Sequence, residues 1–204
     1  MSDEPKITPE QVKALRDATG AGMMDCKRAL QETGGDFDAA VELLRLKGIA
    51  KGQQRAGRSA SEGIIDSYIH FNGRIGVLVE LNCETDFVAR TDQFRKLARE
   101  VALHIASANP WWVTRDEVPQ AVLDTERRVY EGQAREQGKP ENVIERMVTG
   151  KLESFYKDTV LVDQPFVKDP EKTVGELVEG ASGKLGEKVA VRRFARFQLG
   201  EDLE

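Results

Sequence analysis

The sequence predicts an α+β protein in which a small helical bundle precedes a mixed core, and three observations support this class. Short amphipathic segments before residue 48 are separated by glycines, as in small helical bundles. Asn72-Gly73 joins two alternating apolar segments, which is a strong signal for a β-hairpin. Two charged helical segments, from Gln120 to Gln137 and from about Pro140 onward, flank a tight break at Gly138. They predict an antiparallel helix pair beside a small antiparallel sheet of about three strands.

The first block predicts three short helices. Thr8-Pro9 is typical of an N-cap followed by proline at the first helical position, and Gly20–Gly22 ends that helix. Gly34-Gly35 ends the second helix, and Asp36 caps the third. The pattern is complete, so we expect the first domain, residues 1–54, to fold independently.

A change of composition follows the third helix. Residues 47–63, KGIAKGQQRAGRSASEG, are rich in Gly, Ser and Gln and hold four basic residues before any acid, namely Lys47, Lys51, Arg55 and Arg58. They predict a mobile linker at residues 55–63, followed by a core domain at residues 64–204. A solvated hinge is the usual meaning of such a run, and an RNA contact remains open as the alternative.

The core is expected to contain a three-stranded sheet. Strands at Ile64–Phe71 and Arg74–Asn82 should share one apolar face, formed by Ile65, Ile69 and Phe71 opposite Ile75, Val77, Val79 and Leu81. Lys188–Gln198 predicts a third strand, and a helix runs from Phe94 past Ile105. A shorter helix is expected at Thr173–Val178. So small a sheet leaves unpaired edges, so the core is expected to form a homodimer that covers Val189, Val191, Phe194 and Phe197.

Composition excludes several classes of protein. A net charge of −5 argues against a general nucleic-acid binder. Two cysteines, Cys26 and Cys83, in no metal-binding pattern predict a reducing cytoplasm. No apolar run approaches the about 20 residues that span a membrane. The opening MSDEPKITPEQ lacks the apolar segment of a signal peptide.

Motifs of catalysis are missing as well. The two histidines, His70 and His104, have no nucleophile at motif spacing, and no HExxH, GxSxG or GxGxxG pattern occurs. We therefore expect no catalytic residue, no metal site and no cofactor.

Two features suit contact with another protein. Thr85–Arg90 places Phe87 between charged residues at a strand-to-helix junction, where it is either a staple that packs the loop or an anchor for a partner. Met23-Met24 follows a glycine turn, where the pair either fills the core or forms a pliable contact surface. The residues alone leave both choices open.

Four segments in order together resemble one family: TGAGMMDCKRAL (19–30), GGDFDAAVELLRLKG (34–48), NCETDFVAR (82–90) and QPFVKDPEKTVGEL (164–177). The chain resembles the elongation factor Ts family, the guanine-nucleotide exchange factors of the GTPase elongation factor Tu. It is similar to short members with one copy of the core subdomain. The resemblance implies an N-terminal three-helix bundle of the ubiquitin-associated type.

The resemblance also implies roles for individual residues. Thr85, Asp86, Phe87 and Val88 match the family element that displaces magnesium from the partner's nucleotide site, with Phe87 as the intruding aromatic. Arg16, Met23 and Met24 match the surface that contacts a helix of elongation factor Tu. Neither direct nucleotide binding nor nucleic-acid binding is implied.

Two other functions are weighed against this one. A ubiquitin-associated-type adaptor would bind a modifier protein through the first block, and Phe87 would be dispensable. A small enzyme would use Asp86, Cys83 or His70 to turn over a small molecule.

Overall fold

A computed structural model describes residues 7–201 of the chain. The strands are β1 (Glu62–Ile69), β2 (Ile75–Cys83), β3 (Pro165–Phe166), β4 (Asp169–Thr173) and β5 (Ala190–Gln198). The helices are α1 (Pro9–Thr19), α2 (Met23–Glu32), α3 (Phe37–Gln53), α4 (Asp86–Ala89), α5 (Asp92–Ala108), α6 (Gln120–Glu136), α7 (Glu141–Thr159) and α8 (Val174–Leu185). The predicted α+β class with a three-stranded sheet is confirmed. The first six residues of the opening segment, on which the signal-peptide prediction partly depends, lie outside the described residues.

The N-terminal bundle forms where its caps predict. The Thr8 hydroxyl accepts a hydrogen bond from the Gln11 N–H, and the Gln11 side chain accepts one from the Thr8 N–H, which makes a capping box. The Asp36 carboxylate accepts the Ala39 N–H at 2.9 Å and starts α3. The three helices bury a common apolar cluster of Val12, Leu15, Cys26, Ala29, Leu30, Ala40 and Leu44.

The chain forms two compact units. The first combines the described residues up to Gly63 with Asn82–Phe94 and Val178–Ala190, and the second contains Ile64–Leu81, Arg95–Leu177 and the residues from Val191 onward. The predicted domain boundaries, at residues 54 and 63, state which segments fold independently, and they stay a prediction.

Among the described residues, none of the helices combines the length and the apolar character of a membrane span.

In the sheet, the strand order is β1-β2-β5, so β2 is central. The prediction of one shared apolar face is wrong for β1. Val77, Val79 and Leu81 of β2 are buried, whereas Ile65 and Ile69 are 67% and 66% exposed and Phe71 is 92% exposed. Side chains alternate between the faces of a strand, and a Cβ added at Gly76 of β2 would lie 3.1 Å from Ile69 Cδ1, so Ile69 lies on the face opposite to Val77.

Two elements differ from their predictions. The short β3–β4 hairpin was not predicted, because Pro165 and Pro170 disfavour strands in sequence. The helix predicted at Thr173–Val178 extends to Leu185 through Gly180 and Gly183. Glycine has low helix propensity, so the sequence favoured an earlier end.

Close packing of α3 against α8 explains two glycines inside these helices, Gly52 and Gly183. A Cβ added at Gly183 would lie 2.2 Å from the Gly48 carbonyl oxygen, and one added at Gly52 would lie 2.2 Å from the Glu179 carbonyl oxygen. Both distances are far inside van der Waals contact, so the two backbones touch where only glycine fits. This contact also accounts for the extension of α3 to Gln53, into the glycine-rich segment.

The predicted helix pair is formed by α6 and α7. Gly138, with φ of 67°, turns the chain between them. Ala134, Ile144, Val148 and Leu152 form the apolar seam, and the Lys151 ammonium donates to the Gln133 side-chain oxygen at 2.7 Å.

Buried His104 makes the stability of the fold depend on pH. Its Nε2 lies 2.9 Å from the Gln164 side-chain oxygen, and its Nδ1 accepts the Val167 N–H at 3.3 Å, so the neutral ring satisfies both contacts. Burial lowers the pKa of His104 from its usual 6.5. The unfolded chain therefore binds the proton more tightly, and this contribution to stability is complete above about pH 6.5 and is lost as the pH falls below it.

We expect the free energy of unfolding by urea to fall between pH 7 and pH 5.5, and this loss to be smaller in His104→Gln. His70→Gln is the control, because it removes the other histidine and should retain the wild-type loss. Equal losses in the wild type and in His104→Gln would contradict the assignment.

Candidate functional site

The segment Thr85–Val88 forms the start of a single helical turn, α4, between β2 and α5. The Thr85 hydroxyl is the N-cap and lies 3.5 Å from the Val88 N–H, a long hydrogen bond. The Phe87 side chain is 79% exposed, which excludes the reading that it staples the loop to the core of this chain. A large aromatic group therefore projects to solvent from a capped turn.

The carboxylate of Glu187 holds the beginning of this turn. Its Oε2 accepts the N–H groups of Glu84 and Thr85 at 3.1 and 3.0 Å, and its Oε1 accepts the Thr85 hydroxyl at 2.6 Å. Hydrogen bonds to an ionised carboxylate are stronger than those between neutral groups. Three such bonds join the Glu187 carboxylate to two successive residues of the loop, Glu84 and Thr85.

A second carboxylate makes the reverse connection. Glu84 Oε1 accepts the Lys188 N–H at 2.6 Å and lies 3.3 Å from the Arg58 guanidinium. The bond from the Lys188 N–H lowers the pKa of Glu84. Glu187 therefore binds the backbone at Glu84 and Thr85, and Glu84 binds the backbone at Lys188. The two segments are joined by side-chain contacts in both directions.

The helical turn has local support as well. The Asp86 carboxylate pairs with Arg90 at 2.7 Å across the turn. The Cys83 thiol donates to the Thr85 carbonyl oxygen at 3.1 Å. Burial, and secondarily the charge of Glu187, raise the pKa of Cys83 to about 11. A buried thiol that keeps its proton is a poor nucleophile, which argues against an enzyme built on Cys83.

The other predicted site residues surround the turn between α1 and α2. The Arg16 carbonyl accepts the N–H of Gly20, whose φ of 67° allows the tight turn. Arg16 is exposed, as are Met23 and Met24, at 47% and 64%. Core filling is therefore wrong for both methionines, because Cys26 and Leu30 occupy the core positions of α2. Two exposed methionines form an adaptable apolar surface.

The four basic residues of segment 47–63 have partners within the chain. Lys47 pairs with Glu32 at 2.7 Å and Lys51 with Asp25 at 3.2 Å. Arg55 donates to the Gly186 carbonyl oxygen at 3.1 Å, and Arg58 pairs with Glu84. Each of the four basic side chains therefore has an acceptor within the chain, and the RNA contact stays an untested alternative.

The sequence singled out Phe87 in this loop, but it did not reveal the residues that hold the loop. Glu187 lies 102 positions after Thr85, and no motif marks it. Its one local signal is a carboxylate that directly follows Gly186, a glycine with φ of 78° beyond the end of α8. The loop and the α1–α2 turn belong to the same compact unit.

Known proteins match the chain along almost its whole length. The family model described as elongation factor TS matches residues 12–201. Elongation factor Ts of Thermoanaerobacter sp. strain X514 is 52% identical over 198 residues, 97% of each chain. Elongation factor Ts of Carboxydothermus hydrogenoformans is 54% identical, covering 97% of this chain and 91% of its own. The protein of the same name from Fervidobacterium nodosum is 53% identical, covering 96% and 100%. Because these matches extend over almost the whole chain, the chain belongs to the elongation factor Ts family.

Proposed function

We propose that this protein is the guanine-nucleotide exchange factor that acts on elongation factor Tu in the cytoplasm. Membership of the family gives it a role in translation elongation. The observation that carries the finer proposal is the exposure of Phe87 on a turn held by Glu187 and Glu84. An exposed aromatic group on a fixed backbone binds a partner with little loss of entropy.

In this proposal Thr85–Val88 enters the GTPase and disturbs the magnesium site. GTPases hold GDP partly through a magnesium ion that bridges its phosphates and through loops ordered around that ion. Phe87 acts as a wedge that displaces those loops, and Asp86 is its polar neighbour. The ion and the nucleotide are both weakened, and no covalent bond is made or broken.

Arg16, Met23 and Met24 form the second contact in this proposal. They hold the exchange factor on the GTPase while the loop acts. By linkage, an exchange factor that weakens GDP binding is itself bound less tightly by the GDP-loaded GTPase, by the same factor. The empty GTPase is therefore the form that this chain binds most tightly.

Release of fluorescent GDP from preloaded elongation factor Tu tests the proposal. Catalytic amounts of the chain should accelerate release, and capture of the GTPase on the immobilised chain should weaken as free GDP is added. Unchanged release would contradict the proposal. Capture of a ubiquitin-like modifier in place of the GTPase would favour the adaptor.

Val189 and Val191, which were expected to be covered by a second copy, are instead buried within this chain. We further propose that two copies of the chain associate through the exposed face of the sheet. Ile65, Ile69, Leu78 and Phe197 are large apolar side chains exposed on the three strands β1, β2 and β5. Among the described residues, β1 and β5 each have one neighbouring strand in this sheet, so both edges are available. A two-fold partner of the same kind is the commonest solution for such a face.

Sedimentation at micromolar concentration should therefore give a dimer, and Ile69→Glu should shift it toward the monomer, because a charge would be buried in the interface. Val129→Glu makes the same change at an exposed position of α6 and should leave the dimer intact. A monomeric wild-type chain would contradict this proposal.

A further inference from the structure

We propose that Glu187 is the positioning residue of the exchange loop, Thr85–Val88. Its carboxylate sets the orientation from which Phe87 acts. This inference rests on the proposed function, because it assigns a residue to the same loop. The proposal is carried by three hydrogen bonds from Glu84 and Thr85 to one side chain 102 positions away from Thr85.

The contacts of Glu187 reach the loop through its first turn. The Thr85 hydroxyl donates to Glu187 and is also the cap acceptor for the Val88 N–H, so the carboxylate fixes the cap. Phe87 lies inside the turn that this cap begins. The direction of its ring therefore depends on a group that does not itself need to touch the partner.

Glu187 is in turn held in place by its own surroundings. Its carbonyl oxygen accepts the hydroxyl of Ser182, which is 2% exposed. The next residue, Lys188, donates its N–H to Glu84 and its ammonium group to the Arg58 carbonyl oxygen at 2.8 Å. These contacts hold the backbone at Glu187 and Lys188, so the Glu187 carboxylate can keep the loop in a single arrangement, which suits a group that must act as a wedge.

The other contacts of the loop do not replace Glu187. The Asp86–Arg90 pair is exposed, and exposed ion pairs on a helical turn contribute little. The Cys83 thiol is a weak donor, and it binds a carbonyl group, not the two N–H groups that Glu187 accepts. Without Glu187 these N–H groups lose their acceptor, and the loop is free to adopt other arrangements.

Two substitutions test the proposal in the full chain. Glu187→Ala removes all three acceptor contacts, whereas Glu187→Gln keeps one oxygen for the two N–H groups and loses the charge. Glu117→Ala is the matched control, since the Glu117 carboxylate also accepts a backbone N–H, that of Val113 at 2.9 Å, outside this loop.

Amide hydrogen exchange measures the loop without any partner. The amides of Glu84 and Thr85 should exchange at least about tenfold faster in Glu187→Ala, because a hydrogen bond to a charged group shifts an equilibrium by that order. Glu187→Gln should lie between this variant and the wild type, and Glu117→Ala should match the wild type. Unchanged amide exchange in Glu187→Ala would overturn the proposal.

GDP release from elongation factor Tu measures the consequence. Glu187→Ala should reduce the accelerated rate by about tenfold, with a smaller loss for Glu187→Gln. In a chain that already carries Phe87→Ala, the same change should reduce the rate by less than about twofold, because residues that act as a unit are not additive.

The outcomes separate the two proposals. A full additional loss in the Phe87→Ala chain, or a normal rate in Glu187→Ala, would overturn the positioning role. Failure of the wild-type chain to accelerate release would overturn the proposed function, and amide exchange would still decide whether Glu187 holds the loop. If Glu187→Ala does not fold, Glu187→Gln carries the same comparisons.

Discussion

Replacing Phe87 with alanine is expected to slow the accelerated release of GDP from elongation factor Tu by at least about tenfold, as for a central aromatic anchor of an interface. The same variant should unfold within about 1 kcal/mol of the wild type, because the side chain is 79% exposed and few contacts within the chain are lost. A fluorescent-GDP release assay and a thermal melt on one preparation measure both quantities.

Matched variants distinguish the loss of the Phe87 wedge from other causes of slower nucleotide exchange. Trp111→Ala removes another exposed aromatic group, 60% exposed, and should retain full exchange. Asp86→Ala should slow exchange more weakly than Phe87→Ala, and Arg90→Ala tests how much of that loss comes from their ion pair. A large drop in melting temperature for Phe87→Ala, with exchange intact below it, would mean that Phe87 serves this fold and not the partner.

Replacing Gly183 with alanine is expected to destabilise the first compact unit by about 1–3 kcal/mol or more, as for other overpacked sites. The new methyl group would lie 2.2 Å from the Gly48 carbonyl oxygen and within 3 Å of two further Gly48 backbone atoms. Backbone cannot move aside as a flexible side chain can, so α3 and α8 must separate. Gly52→Ala places its methyl group 2.2 Å from the Glu179 carbonyl oxygen and should act in the same direction.

Gly180→Ala is the control in the same helix. A Cβ at Gly180 meets no heavy atom within 4 Å, so the change should stabilise α8 by about 0.5–1 kcal/mol through helix propensity. Opposite shifts of melting temperature for two positions three residues apart would identify the close backbone contact. A Gly183→Ala chain that melts at or above the wild-type temperature would contradict it.

Local signals were sufficient for the elements that are stabilised by their neighbours in sequence. Thr8 with Gln11, and Asp36, begin α1 and α3 as predicted, because a cap acts within one turn. Asn72-Gly73 fixed the turn between β1 and β2 for the same reason. Phe87 was also apparent as a chemical anomaly in a polar junction, and the family resemblance gave it a role, but the residues alone did not decide whether its side chain is exposed.

The faces of β1 depend on pairing, which the sequence leaves open. Both Ile65 and Val77 are apolar, yet Ile65 is exposed and Val77 is buried. A shift of one residue in register exchanges the two faces of a strand, and apolar residues on both faces remove the pattern that would decide it.

The structure of the first compact unit was decided by contacts between residues far apart in the chain. Glycines at 52 and 183 favour linkers and helix ends locally, and only the approach of α3 to α8 explains why glycine is needed at both positions inside helices. Glu187 likewise carries no signal until folding brings it to Thr85. The sequence by itself therefore determined the class, most helices and the hairpin turn, and it singled out Phe87 without deciding its exposure. Tertiary structure decided which backbones touch and which carboxylates hold the loop, because these contacts join segments more than 100 residues apart that local propensities do not relate.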